Sequence, residues 1–208
     1  MRCGIDLDGQ DIFVEADWMK GHKPSRKALE LVMRSFYRAC RLNIFITLHI
    51  DDGCMGGGGS LNEHKAEIEC STYGTEMNNL LANSGLDGTR ITGNRGFDKA
   101  SRDDSFHYCL FADSYSGGII KTTTGISRTP GNVFILFDGV LGCNHMGTFM
   151  HELGHNLLGL EPSHLDEHGH CDKITLGWAS CQMCTNRLNN PGDYCDECWN
   201  SMDLTKSF

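Results

Sequence analysis

The chain contains no long apolar run. Its most continuous hydrophobic stretch, Val133 to Phe137, is far too short to cross a bilayer, so no helical membrane span is expected. Basic residues are also scarce. Lys and Arg total 18 against 27 Asp and Glu, for a formal net charge of -9, and no basic run occurs. A general electrostatic grip on DNA, RNA or an anionic membrane is therefore disfavoured. The N-terminal residues Met1-Arg2-Cys3-Gly4-Ile5-Asp6 lack the apolar core of a signal peptide, and the expectation is an intracellular (cytoplasmic) protein with reduced thiols. The run Gly56-Gly57-Gly58-Gly59-Ser60 follows a strand, but no Lys-Ser/Thr comes after it and neither phosphate-binding fingerprint fits. A loop is expected there.

What is present is ordinary globular material with an unusual supply of metal ligands. At 208 residues, with 39% hydrophobic and 22% charged content, the chain fits one domain with its own core, with or without a small appendage. The 11 cysteines are many, and odd in number; without an export signal, clustered thiols read better as metal ligands than as disulfides.

His151-Glu152-Leu153-Gly154-His155 carries the most chemistry. On a helix, i and i+4 share one face, so two imidazoles at that spacing can hold one Zn²⁺ at about 2.0–2.1 Å each. Glu152 then reaches the open coordination position as general base of a zinc hydrolase. Phe149, Met150, Leu153, Leu157 and Leu158 supply an apolar stripe beside the histidines, as a helix lying between core and cleft requires. That helix is expected from about Asn144 to Leu158, with Gly159 as its stop.

Upstream, Asp11 to Asp17 alternates as a strand, Pro24-Ser25 opens an amphipathic helix running to about Cys40, and Asn43 to Ile50 reads as a buried strand. This is a βαβ crossover, so the two strands should be parallel. Ser105 to Ala112 and Asn132 to Phe137 read as central strands. Ser114 to Pro130 suits an irregular edge strand or rim loop beside a cleft, and residues 61–100 suit a helix or two with long loops. His49 and His107 lie in apolar strands and read as satisfied core or loop histidines.

A catalytic zinc site needs a third protein ligand, and Glu161, His164, Asp166, Glu167, His168 and His170 all follow the helix. Spacing alone leaves these open. Further on, Cys181-x-x-Cys184 and Cys195-x-x-Cys198 form two short-spaced pairs, the pattern of a tetrahedral thiolate zinc site.

The order His151-Glu152-x-x-His155, His170-Cys171, Cys181-Gln182-Met183, Cys195-x-x-Cys198, with Tyr194 before the last pair, resembles the archaemetzincin family of zinc metalloproteases, within the metzincin clan. The resemblance covers roughly residues 144–200. It implies His151, His155 and His170 as catalytic zinc ligands, Glu152 as the base, Cys171, Cys181, Cys195 and Cys198 around a structural zinc, and Met183 in a turn beneath the catalytic metal. The chain departs from the family by an inserted segment, Gly159 to His168, before His170, by a longer interval between Cys171 and Cys181, and by the extra Cys184. His164 is accordingly the second choice and Glu161 the third for the last catalytic ligand, and Cys184 is the alternative to Cys171.

The expected fold is an α/β (α+β) zincin of metzincin type: a mixed twisted sheet, a backing helix, an active-site helix and a small zinc-stapled C-terminal subdomain. Residues 1–159 would form the N-terminal subdomain and 160–208 the C-terminal one. The expected function is that of a zinc metalloendopeptidase with two Zn²⁺ ions, acting on peptide or protein substrates and binding neither nucleic acid nor membrane. The rival reading is a zinc-stabilised peptide-binding module without turnover. A zinc-ribbon nucleic-acid reader rests only on the cysteines, and Arg187 stands almost alone among them as a basic residue.

Overall fold

The structure is a computed structural model describing residues 9–42, 45–60, 67–68, 105–115, 123–127, 131–138, 145–158, 163–167, 169–171, 181, 183 and 193–204. Glu161, His168, Cys184, the predicted helix start at Asn144 and stop at Gly159, and nearly all of 61–100 lie outside these residues.

Parallel strands β1 (Gln10–Trp18), β2 (Ile46–Asp51), β5 (His107–Ala112) and β8 (Val133–Phe137) form the body of a 6-stranded sheet in the order β2-β1-β5-β8-β7. Strand β7 (Gly125–Ser127) closes the edge antiparallel to β8, and β3 (Gly59–Ser60) adds to the end of β1. The βαβ unit is as predicted: β1 and β2 pair in parallel from Gln10↔Ile46 to Glu15↔Asp51, joined through α1 (Arg26–Arg38) and a 3₁₀ turn at Ala39–Leu42. The segment expected as one edge element divides in two. Strand β6 (Ser114–Tyr115) pairs with β4 (Glu67–Ile68) in a separate ribbon, and only β7 joins the main sheet.

One face of the sheet makes the larger core. Ile12, Val14, Ala16 and Trp18 of β1 meet Leu29, Val32 and Phe36 of α1, and Phe149, Met150, Leu153 and Leu157 of helix α2 (His145–Leu158). Helix α1 works because its apolar residues recur every three to four positions. The same core continues into Met183, Tyr194, Trp199 and Met202. Phe36, Tyr194 and Trp199 meet edge to face, with Phe36 and Trp199 centroids 5.2 Å apart. The C-terminal segment, including helix α3 (Asp196–Ser201), thus shares the core rather than owning one.

The opposite face carries a smaller cluster around Tyr108, Leu110, Ile135 and Phe137, and it also buries Glu15, Asp17 and Asp51 completely. Alternation in β1 marks two faces without saying what covers the polar one. The Tyr108 hydroxyl donates to Asp17 Oδ2 at 3.1 Å, and burial, then Glu15, pushes the Asp17 carboxyl up to about 7. Asp51 is held by backbone N–H groups of Gly53, Met55 and Gly57 at 2.8–3.0 Å. Gly58 has φ +53 and lies so close to the Asp51 carbonyl that no Cβ fits. The loop from Gly53 to Gly58 therefore wraps a carboxyl group, and that group is the chain's own.

Candidate active site

Helix α2 is buried along almost its whole length, and it brings His151, Glu152 and His155 to the sheet's β7 side. His151 Nε2 and His155 Nε2 lie 3.1 Å apart, with ring centroids 4.6 Å apart. Two nitrogens in one tetrahedral zinc shell would be about 3.3 Å apart, so the pair has the separation such an ion sets. His170 completes the group. Its ring stacks on His151 at 5.4 Å and meets His155 edge to face at 5.2 Å, and one donor atom from each of the three falls within 4.8 Å of the others. The donor set is all imidazole, which suits a catalytic zinc with one position left for water.

A short hairpin delivers His170. Leu165 and Cys171 bridge antiparallel, Asp166 N–H donates to the His170 carbonyl at 2.8 Å, and His170 N–H donates back to Asp166 Oδ1 at 2.8 Å. Gly169, at φ +78, makes the turn. Beyond the hairpin, Cys171 N–H donates to the Met183 carbonyl at 3.0 Å, which joins it to the turn under α2.

That turn packs directly on the helix. A Cβ at Gly154 would lie 2.9 Å from Tyr194 Cε1 and closer still to Met183 Sδ. The Tyr194 hydroxyl donates to the Met150 carbonyl, one helical turn before Gly154. Only glycine between the two histidines lets methionine and tyrosine seat there.

On the helix's other side lies the edge strand. Glu152 is 4% exposed, and a Cβ at Gly125 of β7 would come within 2.7 Å of its Oε1. The bare backbone of Gly125 leaves room for the carboxylate. Ser127 Oγ donates to the Glu152 carbonyl at 2.8 Å and accepts from Asn156 Nδ2 at 2.7 Å. Asn156 Oδ1 in turn takes a hydrogen bond from His107 Nδ1 at 3.2 Å. Burial lowers the His107 pKa to about 4, so it stays neutral and donates through Nδ1. His107 is thus a core histidine satisfied through Nδ1 alone, its Nε2 being buried without a hydrogen-bond partner among the described residues. His49 is satisfied too, through Asp11 Oδ1 at 2.9 Å and a stacked Phe13.

A second group gathers where the C-terminal segment meets the hairpin. Cys171 and Cys195 sulfurs are 3.7 Å apart, and those of Cys181 and Cys198 are 3.6 Å apart. The edge of a tetrahedral zinc–thiolate shell is about 3.8 Å. All four cysteines are buried. Hydrogen bonds from Cys181, then Cys198, hold the Cys195 thiol below its usual range, and the same contacts push the Cys181 and Cys198 thiols up. His164, the second choice for the catalytic centre, is placed here instead, with Nε2 3.3 Å from Cys198 Sγ. The sequence did not single out Gly125, Ser127, Asn156 or the buried carboxylates. Asn156 did carry a signal, as a polar residue beside His155 on an otherwise apolar turn.

No family model matches the chain, and no curated protein does. Among solved structures it is similar to metalloproteinase-II from Bacteroides fragilis, at 16% identity and TM-score 0.52, over 95% of this chain and 53% of that one. The chain therefore spans about half the length of that protein. It is also similar to a zinc-dependent peptidase from Methanocorpusculum labreanum (12% identity, TM-score 0.49, 90% and 98% covered). An archaemetzincin from Methanopyrus kandleri is similar as well (16% identity, TM-score 0.49, 96% and 97% covered). At such identities the likeness is one of fold, and the fold is the mixed α/β type that the sequence resemblance implied.

Proposed function

We propose that the protein is a zinc-dependent metalloendopeptidase. The observation that carries this reading is the convergence of His151, His155 and His170 beside the buried carboxylate of Glu152. The three imidazoles would hold the ion. Zinc bound there supplies a water acidified toward pKa 7 and a Lewis acid for the scissile carbonyl. Glu152, confined between α2 and the bare Gly125 backbone, takes the proton from water and returns it to the leaving amine. Among the described residues β7 ends the sheet, so its outer edge would offer main-chain groups to an extended peptide substrate. Met183 floors the centre as its Met-turn, and the cysteines hold a second, structural zinc. The proposed division at 159–160 then separates the base-bearing helix from the segment that brings the third ligand. No helix among the described residues is long and apolar enough to cross a membrane.

The test combines metal stoichiometry with hydrolysis of a quenched peptide library. Two zinc ions per chain are expected, with turnover that falls about 10²–10⁴-fold in Glu152→Gln while zinc is retained. Turnover insensitive to that substitution would remove Glu152 as base. Two zincs with no cleavage anywhere in the library would establish the peptide-binding module instead.

A further inference from the structure

The second metal group has more donors than a tetrahedral ion can use. Cys171, Cys181, Cys195, Cys198 and His164 all crowd one place, and Cys198 Sγ is approached by both His164 Nε2 at 3.3 Å and Cys181 Sγ at 3.6 Å. We propose that His164, not Cys181, is the fourth ligand, giving a three-thiolate, one-imidazole centre. This rests on reading the cysteine cluster as a metal site.

Two observations favour His164. First, one donor atom each from His164, Cys171, Cys195 and Cys198 lies within 4.8 Å of all the others, so these four can converge on one point. Second, the hairpin delivers two of them together. The Leu165↔Cys171 bridge holds the two arms side by side, which sets His164 and Cys171 at its mouth as a natural pair. Charge points the same way. Zinc with four thiolates carries a net charge of about −2 and with three about −1, and the cost of burying an ion grows with the square of its charge. Cys171, Cys181, Cys195 and Cys198 are each at most 4% exposed, in a chain of net charge -9. The imidazole makes the smaller charge.

The assignment gives the inserted segment a task. The insert brings a ligand of its own, so that the hairpin is clamped to the second ion at both arms while His170 faces the first.

Co²⁺ replaces zinc in the full-length protein for the test. Its sulfur-to-metal absorption in the near ultraviolet counts thiolates and is silent for an all-imidazole centre. Circular dichroism checks that each variant folds. His164→Cys should raise that absorption by about one third, three thiolates becoming four, and Cys181→Ser should leave it unchanged. His164→Ala should weaken Co²⁺ retention against a chelator by more than about 100-fold, beyond what loss of an outer hydrogen bond does. The proposal is overturned if Cys181→Ser removes about a quarter of the absorption and His164→Ala changes neither spectrum nor retention. Absence of any thiolate band in the wild-type protein would overturn it along with the metal-site reading. Peptide turnover is a separate measurement, so failure of the peptidase reading leaves this result standing.

Discussion

The two candidate metal groups are built in opposite ways. In the histidine group, two of the proposed ligands and the proposed base come from one rigid helix, their spacing fixed by its 3.6-residue turn. In the cysteine group the donors come from a hairpin, a turn, and the cap and first turn of a six-residue helix, where Cys195 accepts the Cys198 N–H. A catalytic centre must hold its geometry with one position open, so it borrows the stiffness of the helix. A closed thiolate centre can create the order of the segments that hold it. The histidine group should therefore survive metal loss as a shape. The cysteine group should not.

That contrast can be broken most directly at Cys198. Cys198→Ser should cost the second ion, lower the melting temperature sharply and expose the C-terminal segment to protease, whereas His155→Ala should abolish turnover with the fold kept. Equal melting shifts for the two variants would erase the distinction. The next largest effect concerns His107 behind the active-site helix. Its pKa in the fold is depressed from 6.5 to about 4, so the unfolded chain binds the proton first. Its contribution is whole above pH 6.5 and is lost as pH falls toward 4, on the order of 3 kcal/mol in all. His107→Gln can still donate to Asn156 but cannot titrate. Denaturant unfolding should show its stability gaining on wild type across that window, and a constant gap would disprove the assignment.

Gly154→Ala probes the floor under the histidines without touching the cysteines. A methyl group there must displace Met183 or Tyr194, at a cost of about 1–3 kcal/mol. Turnover should drop while the Co²⁺–thiolate spectrum holds. Smallest is Ser127→Ala, which removes the link from β7 to the Glu152 carbonyl and to Asn156. About 1 kcal/mol of stability should go, with KM for long peptides rising more than for short ones, since β7 is the proposed substrate edge. Equal KM changes for both would detach β7 from substrate binding.

How far the sequence could be read follows the same division. His151, Glu152 and His155 were legible because helical spacing turns sequence distance into geometry. The βαβ unit was legible for the same reason: periodicity separates α1 from β1 and β2. His170 and Cys171 needed a family pattern, because a loop ligand's position depends on a hairpin that no local period encodes. His164 went to the cysteines, where the hairpin takes it. The burial of Glu15, Asp17 and Asp51 was not legible, because a strand's pattern does not say which of its faces meets water. Gly56 to Gly59 showed that a loop was needed, while its partner Asp51 could emerge only from the fold.

One consequence of the hairpin lies in its register. His170 and Cys171 are neighbours in sequence yet serve different groups, as successive side chains of an extended strand point in opposite directions. A slip of one residue would present sulfur to the histidines and imidazole to the thiolates, spoiling both ligand sets in a single error. Asp166, bonded to His170 through backbone and side chain, and the Cys171 hydrogen bond to Met183 hold the strand against that slip. The Asp166 carboxylate thus works as a frame marker, keeping two different metal-binding words from being read one letter out of phase.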